Sequence, residues 1–392
     1  MPADVLDDEL AFLERVGARS EEAGWVRRLI TLARPIWHEE KKPAESEGRS
    51  GKPAGAVLIV SGGAASLRQE LVAPIRGMLE TALEGFVGTV ISGGTTTGVP
   101  GCLGDAAGAL AGRGRKTFAL LGYLPEQLPA NVSLDGRYDR QVGCGADFSA
   151  EQILRMWADL REAGVQAAQV KLLGFGGGRI SALEYRMALA LGATVGLMMR
   201  SGGAAEELLR DELWAGERRL LSLPGDGPTL RAFVHGGEPA LPEGSADAMG
   251  REFHRRYLEL RQRQGSSDVR PWEELEETYR AASRQQARDA IHILEAAGFG
   301  VRPATGAAFD GFAPAELEKL AELEHGRWNV ERLRSGWRPG AVRDNAHLVH
   351  NLIVPWGDTV LDRYRQNDVE AVRAIPEVLA KAGLEVYRKG KL

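Results

Sequence analysis

Ala56-Val57-Leu58-Ile59-Val60-Ser61-Gly62-Gly63 decides the fold: five apolar residues in a row, then a serine and two glycines. A run that is apolar at every position, rather than at every second one, belongs to a strand covered on both faces. The texture returns at Thr89-Val90-Ile91, which ends in Ser92-Gly93-Gly94, and from Gln169 to Leu173, which ends in Gly174-Phe175-Gly176-Gly177-Gly178. Further strands are expected at Thr117 to Leu121, Thr194 to Met199 and Leu220 to Leu223, with helices from Leu67 to Leu83 and from about Asp105 to Leu110. Continuous apolar strands alternating with helices predict an α/β, Rossmann-like parallel sheet covered by helices. In such sheets the ligand crevice opens beyond the carboxyl ends of the strands, and all three glycine clusters fall there.

Outward from this core, residues 1–40 read as a helical segment. Leu10, Leu13, Val16, Trp25, Leu29 and Leu32 approximate an amphipathic hairpin. Residues 41–55, rich in Lys, Pro, Ser, Glu and Gly, read as a linker. The α/β domain is expected over 56–236. After Gly237-Glu238-Pro239 a mostly α-helical domain is expected over 250–392, with helices at Arg251–Gln264, Trp272–Ala297, Pro314–Ser335 and Val369–Ala382.

A net charge of −5 offers no global field to a polyanion, so direct binding of a nucleic-acid polymer is not expected. Cys102 and Cys144 make neither a metal-ligand spacing nor a disulfide framework, and no metal or cofactor is expected. The acidic start (Asp4, Asp7, Asp8, Glu9) is unlike a secretory leader, and the apolar stretch Ala188–Met199 is too short to span a bilayer. A cytoplasmic protein without membrane contact is expected.

Glycine loops at strand ends let backbone N–H groups approach an anion, and the helix that follows adds its dipole. The candidate ligand-binding residues are Ser61, Gly62, Gly63, Ser92, Gly93, Gly94, Thr95, Thr96, Thr97, Gly176, Gly177, Gly178, Arg179, Ser181 and Glu184. Glycines also serve as plain turn residues, threonines as caps, and Arg179 as a surface partner of Glu184. Tyr123, after the third strand, either stacks on a base or packs. No loop runs into Gly-Lys-Ser/Thr, which argues against a Walker-type hydrolase. In the third loop Arg179 stands where a dinucleotide fingerprint needs its last glycine.

Three stretches together resemble the SLOG superfamily, in its TRPM-type, LSDAT-like branch: Val60-Ser61-Gly62-Gly63-Ala64, Ile91 to Gly101, and Gly176-Gly177-Gly178-Arg179-Ile180-Ser181-Ala182-Leu183-Glu184-Tyr185. The resemblance covers about Lys52 to Val234. It implies a nucleotide-derived ligand of the ADP-ribose or cyclic-nucleotide class. Lonely Guy hydrolases of the superfamily carry Pro-Gly-Gly-x-Gly-Thr-x-x-Glu. This chain keeps the glycine pair Gly177-Gly178 and Glu184, lacks the proline, and has Ile180 and Ser181 for the next glycine and the threonine. Binding therefore ranks ahead of cleavage.

From about Ala313 to Tyr387 the chain resembles the ryanodine receptor (RyR) repeat, through His325, Trp328, Gly336-Trp337, Gly340, Arg343-Asp344 and Val354-Pro355. The segment holding Trp272, Tyr279-Arg280 and Arg284-Gln285-Gln286-Ala287 resembles the extension that precedes this repeat in bacterial proteins. Val349-His350-Asn351 departs from the commoner His-Pro. A second candidate site comprises Arg280, Arg284, His325, Arg327, Trp328 and Arg343, cations beside aromatics that suit an anionic base. The alternative is that the tryptophans form core and the arginines pair with glutamates. His347 and His350 beside Asp344 lack a strong metal-ligand spacing.

Three functions follow. The first is a sensor of a nucleotide signal, in bacterial antiviral signalling as the resemblance implies, with output through homo-oligomerisation or a protein partner. The second is an enzyme that cleaves a nucleotide N-glycosidic bond with Glu184 as its carboxylate. The third is a protein-interaction module.

Overall fold

The computed structural model describes residues 55–63, 68–214, 216–235, 241, 244–263, 265, 270–306 and 309–389. The expected N-terminal hairpin (1–40) and all but the last residue of the expected linker lie outside them. The chain forms two compact units that divide after Leu230.

The first unit is built on seven strands: β1 (Ala56–Gly62), β2 (Gly88–Ser92), β3 (Phe118–Leu124), β4 (Arg140–Gly143), β5 (Val170–Phe175), β6 (Thr194–Met198) and β7 (Leu220–Leu223). Their order is β4-β3-β2-β1-β5-β6-β7, and every pairing is parallel. Val57 to Val60 are all buried, as the unbroken apolar run requires. The chain leaves β1 toward one edge and returns at β5 on its other side, so the order reverses between β1 and β5.

Between the strands lie helices α1 (Gln69–Leu83), α2 (Gly98–Gly112), α3 (Glu151–Glu162), α4 (Arg179–Leu191) and α5 (Gly203–Arg210), and α6 (Gly227–His235) follows β7. Trp157 of α3, Tyr185 and Leu189 of α4, and Leu208 of α5 share one buried cluster with Ile59 and Leu172 of the sheet. α2 begins about seven residues before the expected helix. Gly98, Pro100 and Gly101 read locally as loop, yet Val99, Pro100 and Gly101 are buried, and small residues at 98–101 let the helix start close beneath the β2 turn.

The second unit carries α7 (Ser245–Arg263), α8 (Glu277–Ala296), α9 (Pro314–Arg334), α10 (Arg365–Arg373) and α11 (Ile375–Ala380). Four short strands accompany them: β8 (Phe299–Pro303), β9 (Arg338–Pro339), β10 (Val349–His350) and β11 (Leu384–Arg388). β11 pairs antiparallel with β8. Met249, Leu294, Phe299, Leu320, Trp356, Val372 and Val378 belong to its core. The single helix expected over Val369–Ala382 is two, breaking at Ala374 just before Ile375-Pro376, where proline opens the new helix.

Candidate functional site

The reversal of strand order places the carboxyl ends of β1 and β5 side by side, with Ser61 opposite Gly174 and Gly62 opposite Phe175. Nothing larger than glycine fits at 62, since a Cβ there would overlap the Phe175 carbonyl oxygen and the Val99 side chain. Gly177 adopts φ +92°, and its missing Cβ leaves room for Ser181.

The turn between β5 and α4 is fixed from several sides. The Gly176 amide donates to Ser201 Oγ (2.9 Å), whose hydroxyl donates to the Met198 carbonyl (2.6 Å). The Tyr185 hydroxyl donates to the Gly176 carbonyl (3.2 Å), and the amides of Ala204 and Ala205 donate to the Gly177 and Gly176 carbonyls (2.9 and 2.8 Å). Beyond this lacing, Gly178 caps α4 with φ −104° and no side-chain cap bond. It is exposed, and a Cβ there would meet nothing within 4 Å among the described residues. Neither backbone conformation nor packing calls for glycine at 178. An uncapped helix start offers free N–H groups and a positive dipole end.

Glu184, along α4, accepts a hydrogen bond from the Ser61 hydroxyl at the end of β1. Burial pushes its carboxyl up to about 7, with the Ser61 bond opposing in part. The half-buried carboxyl thus straddles its two protonation states near neutrality. Arg179 does not pair with it. Arg179 is exposed and, among the described residues, has no ion-pair partner. Ser181 is buried beneath Gly177.

The β2 turn is occupied differently. Ser92 Oγ donates to the Val60 carbonyl (2.6 Å), tying β2 to β1. Thr95 is buried and bridges to Leu134, and the Thr96 amide donates to the Ser133 carbonyl (3.1 Å). The exposed side chains there are Thr96 and Thr97, while Gly63, Gly93 and Gly94 line the strand ends. Tyr123 is buried and donates to Asp159 (2.9 Å), so it packs.

Two further arginines border the crevice. Arg200, just past β6, holds φ +60°, a left-handed conformation that costs a non-glycine residue about 1–3 kcal/mol. Arg68, just before α1, donates from Nη2 to the Arg200 carbonyl (2.8 Å). Sequence reading passed over both, because no local pattern marks a left-handed arginine or a contact across 132 residues.

In the second unit the other candidates fall into separate groups. Arg284 pairs with Glu277 and Asp247, and Arg280 lies 3.5 Å from Glu277. Arg327 is buried and grips both Glu324 oxygens at 2.8 Å. His325 is buried, with Nε2 3.0 Å from the Val354 carbonyl and its ring stacked on Trp328. Arg343 bonds Asn345 (2.8 Å) and lies over Trp337, beside an open hollow lined by Val342, Asp344 and Val349. Among the described residues no group of His, Cys, Asp and Glu is arranged to hold a metal. No helix among them is long and apolar enough to cross a membrane.

His350 packs edge-on against Trp328 and Trp337, and its Nδ1 accepts the Leu352 amide (3.1 Å). Burial, with Arg343 and Arg332 nearby, lowers its pKa from 6.5 to about 4. The unfolded chain therefore takes up this proton first as pH falls. Stability should drop between pH 6.5 and about 4, by on the order of 3 kcal/mol. Urea unfolding across that range should show the drop, and His350→Phe should flatten it. Equal slopes for both proteins would refute the assignment.

No family model and no curated protein matches the chain. It is similar to a solved structure titled "X-ray structure of TM1055", a structural genomics target, with 20% identity and a TM-score of 0.30 over 40% of this chain and 82% of that one.

Proposed function

We propose that the chain binds a nucleotide-derived small molecule, of the ADP-ribose or cyclic-nucleotide class, where β1, β2 and β5 end, and acts as a sensor of it. The observation that carries this reading is Gly178. It is a glycine that neither its conformation nor packing among the described residues requires, heading an uncapped helix, with open space among those residues where a side chain would stand and an exposed arginine next in sequence. Such a position suits a phosphate resting on the backbone. The SLOG resemblance of 52–234 supports the nucleotide class. We assign residues 56–236 to that domain and 250–392 to a RyR-type domain, whose motif residues His325, Trp328 and Trp337 gather around the same aromatic cluster. Output through self-association or a protein partner, in antiviral signalling within the bacterial cytoplasm, completes the proposal.

One observation favours a second reading, that of a hydrolase cleaving an N-glycosidic bond: Glu184 has a pKa pushed up to about 7, apt for general acid–base work. A thermal-shift panel of ADP-ribose, its cyclic isomers, cyclic di- and oligonucleotides, NAD and AMP, with chromatography of each mixture, separates the two. Binding should stabilise the protein by about 2.7 kcal/mol at a hundredfold excess over Kd, with ligand recovered intact. Consumption of the ligand, abolished by Glu184→Gln, would establish the hydrolase. Neither shift nor consumption would favour a protein-interaction module.

A further inference from the structure

We infer that residues 126–134, in the connection from β3 to β4, are a strap that shuts over the glycine turn after β2 and opens on its own. Its latch is the Asp135–Arg137–Asp105 triad, seated in a glycine notch of α2. As a gate on the crevice the strap rests on the reading of that crevice as a nucleotide site; as a unit that opens independently it needs no ligand.

Parallel neighbours are ordinarily joined through a helix. β3 and β4 are parallel, yet the fifteen residues between Leu124 and Arg140 hold no helix, and no strand beyond the Thr95–Leu134 bridge. Irregular connections of that length inside a compact domain are uncommon and are often lids or binding loops. This one leaves the carboxyl end of β3 and meets the β2 turn and α2 before it returns to β4. At the turn its bonds are polar: the Thr96 amide donates to the Ser133 carbonyl (3.1 Å) and the Asp135 amide to the Gly94 carbonyl (3.0 Å). From Glu126 to Leu134 no residue is buried, and Leu134 is 52% exposed. A segment held by backbone bonds, with little apolar burial of its own, is the kind that opens locally.

The latch follows directly, where the connection goes under. Asp135 is buried and accepts three bonds from Arg137: the backbone amide (3.0 Å), Nε (2.7 Å) and Nη2 (2.6 Å). Nη1 of the same guanidinium donates to Asp105 of α2. Charge-assisted, two-pronged bonds of this kind are the strong ones. Glycine cuts the seat: a Cβ at Gly104 would overlap Asp135 Oδ2, and one at Gly108, the next turn on, would crowd Arg137 Cδ (3.3 Å). Alanine at 104 would favour α2 itself, so the helix carries a poorer helix former where the carboxylate enters. Beyond the latch, the buried Tyr138 donates from its hydroxyl to the Pro100 carbonyl (2.9 Å), which keeps the connection pinned to α2 when the strap lifts.

Closed, the strap takes the backbone groups that the β2 turn would otherwise present. The Thr96 amide is spent on Ser133 and the Gly94 carbonyl on Asp135. Ser133, Leu134 and Asp135 are consecutive, so one opening frees the turn at all three points. The strap therefore competes with any guest that uses this turn, and the closed form is self-inhibited.

The test is amide hydrogen exchange of the full chain without ligand, read by mass spectrometry over 94–97, 126–138, β1 and β5. In the parent the first two spans should exchange together and faster than the two strands. Gly104→Ala expels the Asp135 carboxylate while favouring the helix, and Asp105→Asn removes only the more exposed arm of the triad. Exchange over 94–97 and 126–138 should quicken at least about tenfold in Gly104→Ala and about threefold in Asp105→Asn, with β1 and β5 as slow as in the parent. If Gly104→Ala does not fold, Asp105→Asn decides alone. Unchanged exchange over the two spans would show that the triad is no latch. Quickening of β1 and β5 to the same degree would show general support of the fold. Either result overturns the inference and leaves the nucleotide reading standing.

Discussion

Gly178→Ala is expected to leave the ligand-free protein as stable as before, within about 0.5 kcal/mol, and to weaken nucleotide binding at least about tenfold. Gly62→Ala, one strand away, is expected to lower stability by about 3 kcal/mol through forced overlap in a packed interior. The contrast follows from two glycines of the same class of motif with opposite surroundings. A Cβ at 62 would collide with the Phe175 carbonyl and Val99, and a Cβ at 178 would collide with none of the described residues. At 178, then, an added methyl group obstructs none of the described residues and stands in the way of a ligand there. Denaturant unfolding read beside titration with the best ligand of the panel gives both numbers. Undiminished affinity in Gly178→Ala would remove the start of α4 from the site.

Glu184→Gln is expected to stabilise the protein by about 3 kcal/mol at about pH 8 and to leave its stability nearly unchanged at about pH 4. Unfolded, the carboxyl ionises near 4.5; folded, burial holds it to about 7. Below 4.5 both states keep the proton, and the full stability is present. As pH rises the unfolded chain ionises first, so stability falls until the folded carboxyl ionises too, and then levels off. A glutamine keeps an acceptor for the Ser61 hydroxyl and has no proton to lose. Unfolding profiles of parent and variant should diverge between about pH 5 and 7. Parallel profiles would mean that the carboxylate is solvated well enough to ionise normally, and the acid–base reading of Glu184 would go with it.

Much of this architecture is legible in local sequence because burial on both faces leaves a plain mark. Val57 to Val60 announce a central strand, and glycine clusters mark the carboxyl ends of three strands. What stays hidden depends on distance along the chain. The Ser61–Glu184 bond joins residues 123 apart, and the β8–β11 pairing sets Arg302 beside Glu385, 83 residues on. Neither has a local pattern. The early start of α2 is hidden for another reason: its glycines and proline look like a loop, and tertiary packing overrides that preference. The break before Pro376 was readable from the proline alone. In the candidate site, glycine content marks turns at strand ends, but only the folded structure separates a glycine demanded by packing, such as Gly62, from Gly178, which packing among the described residues leaves free.

The bonds from Ala204 and Ala205 to the Gly177 and Gly176 carbonyls have a consequence for recognition. They weld two successive turns into one preorganised wall, set in place by folding before any ligand arrives. Under the proposed function, a guest docking there would meet donors whose ordering entropy was lost when the protein folded, so association would not bear that penalty again. Affinity at this wall should therefore report how well the guest's charges and shape match it, with little contribution from rearrangement of the host.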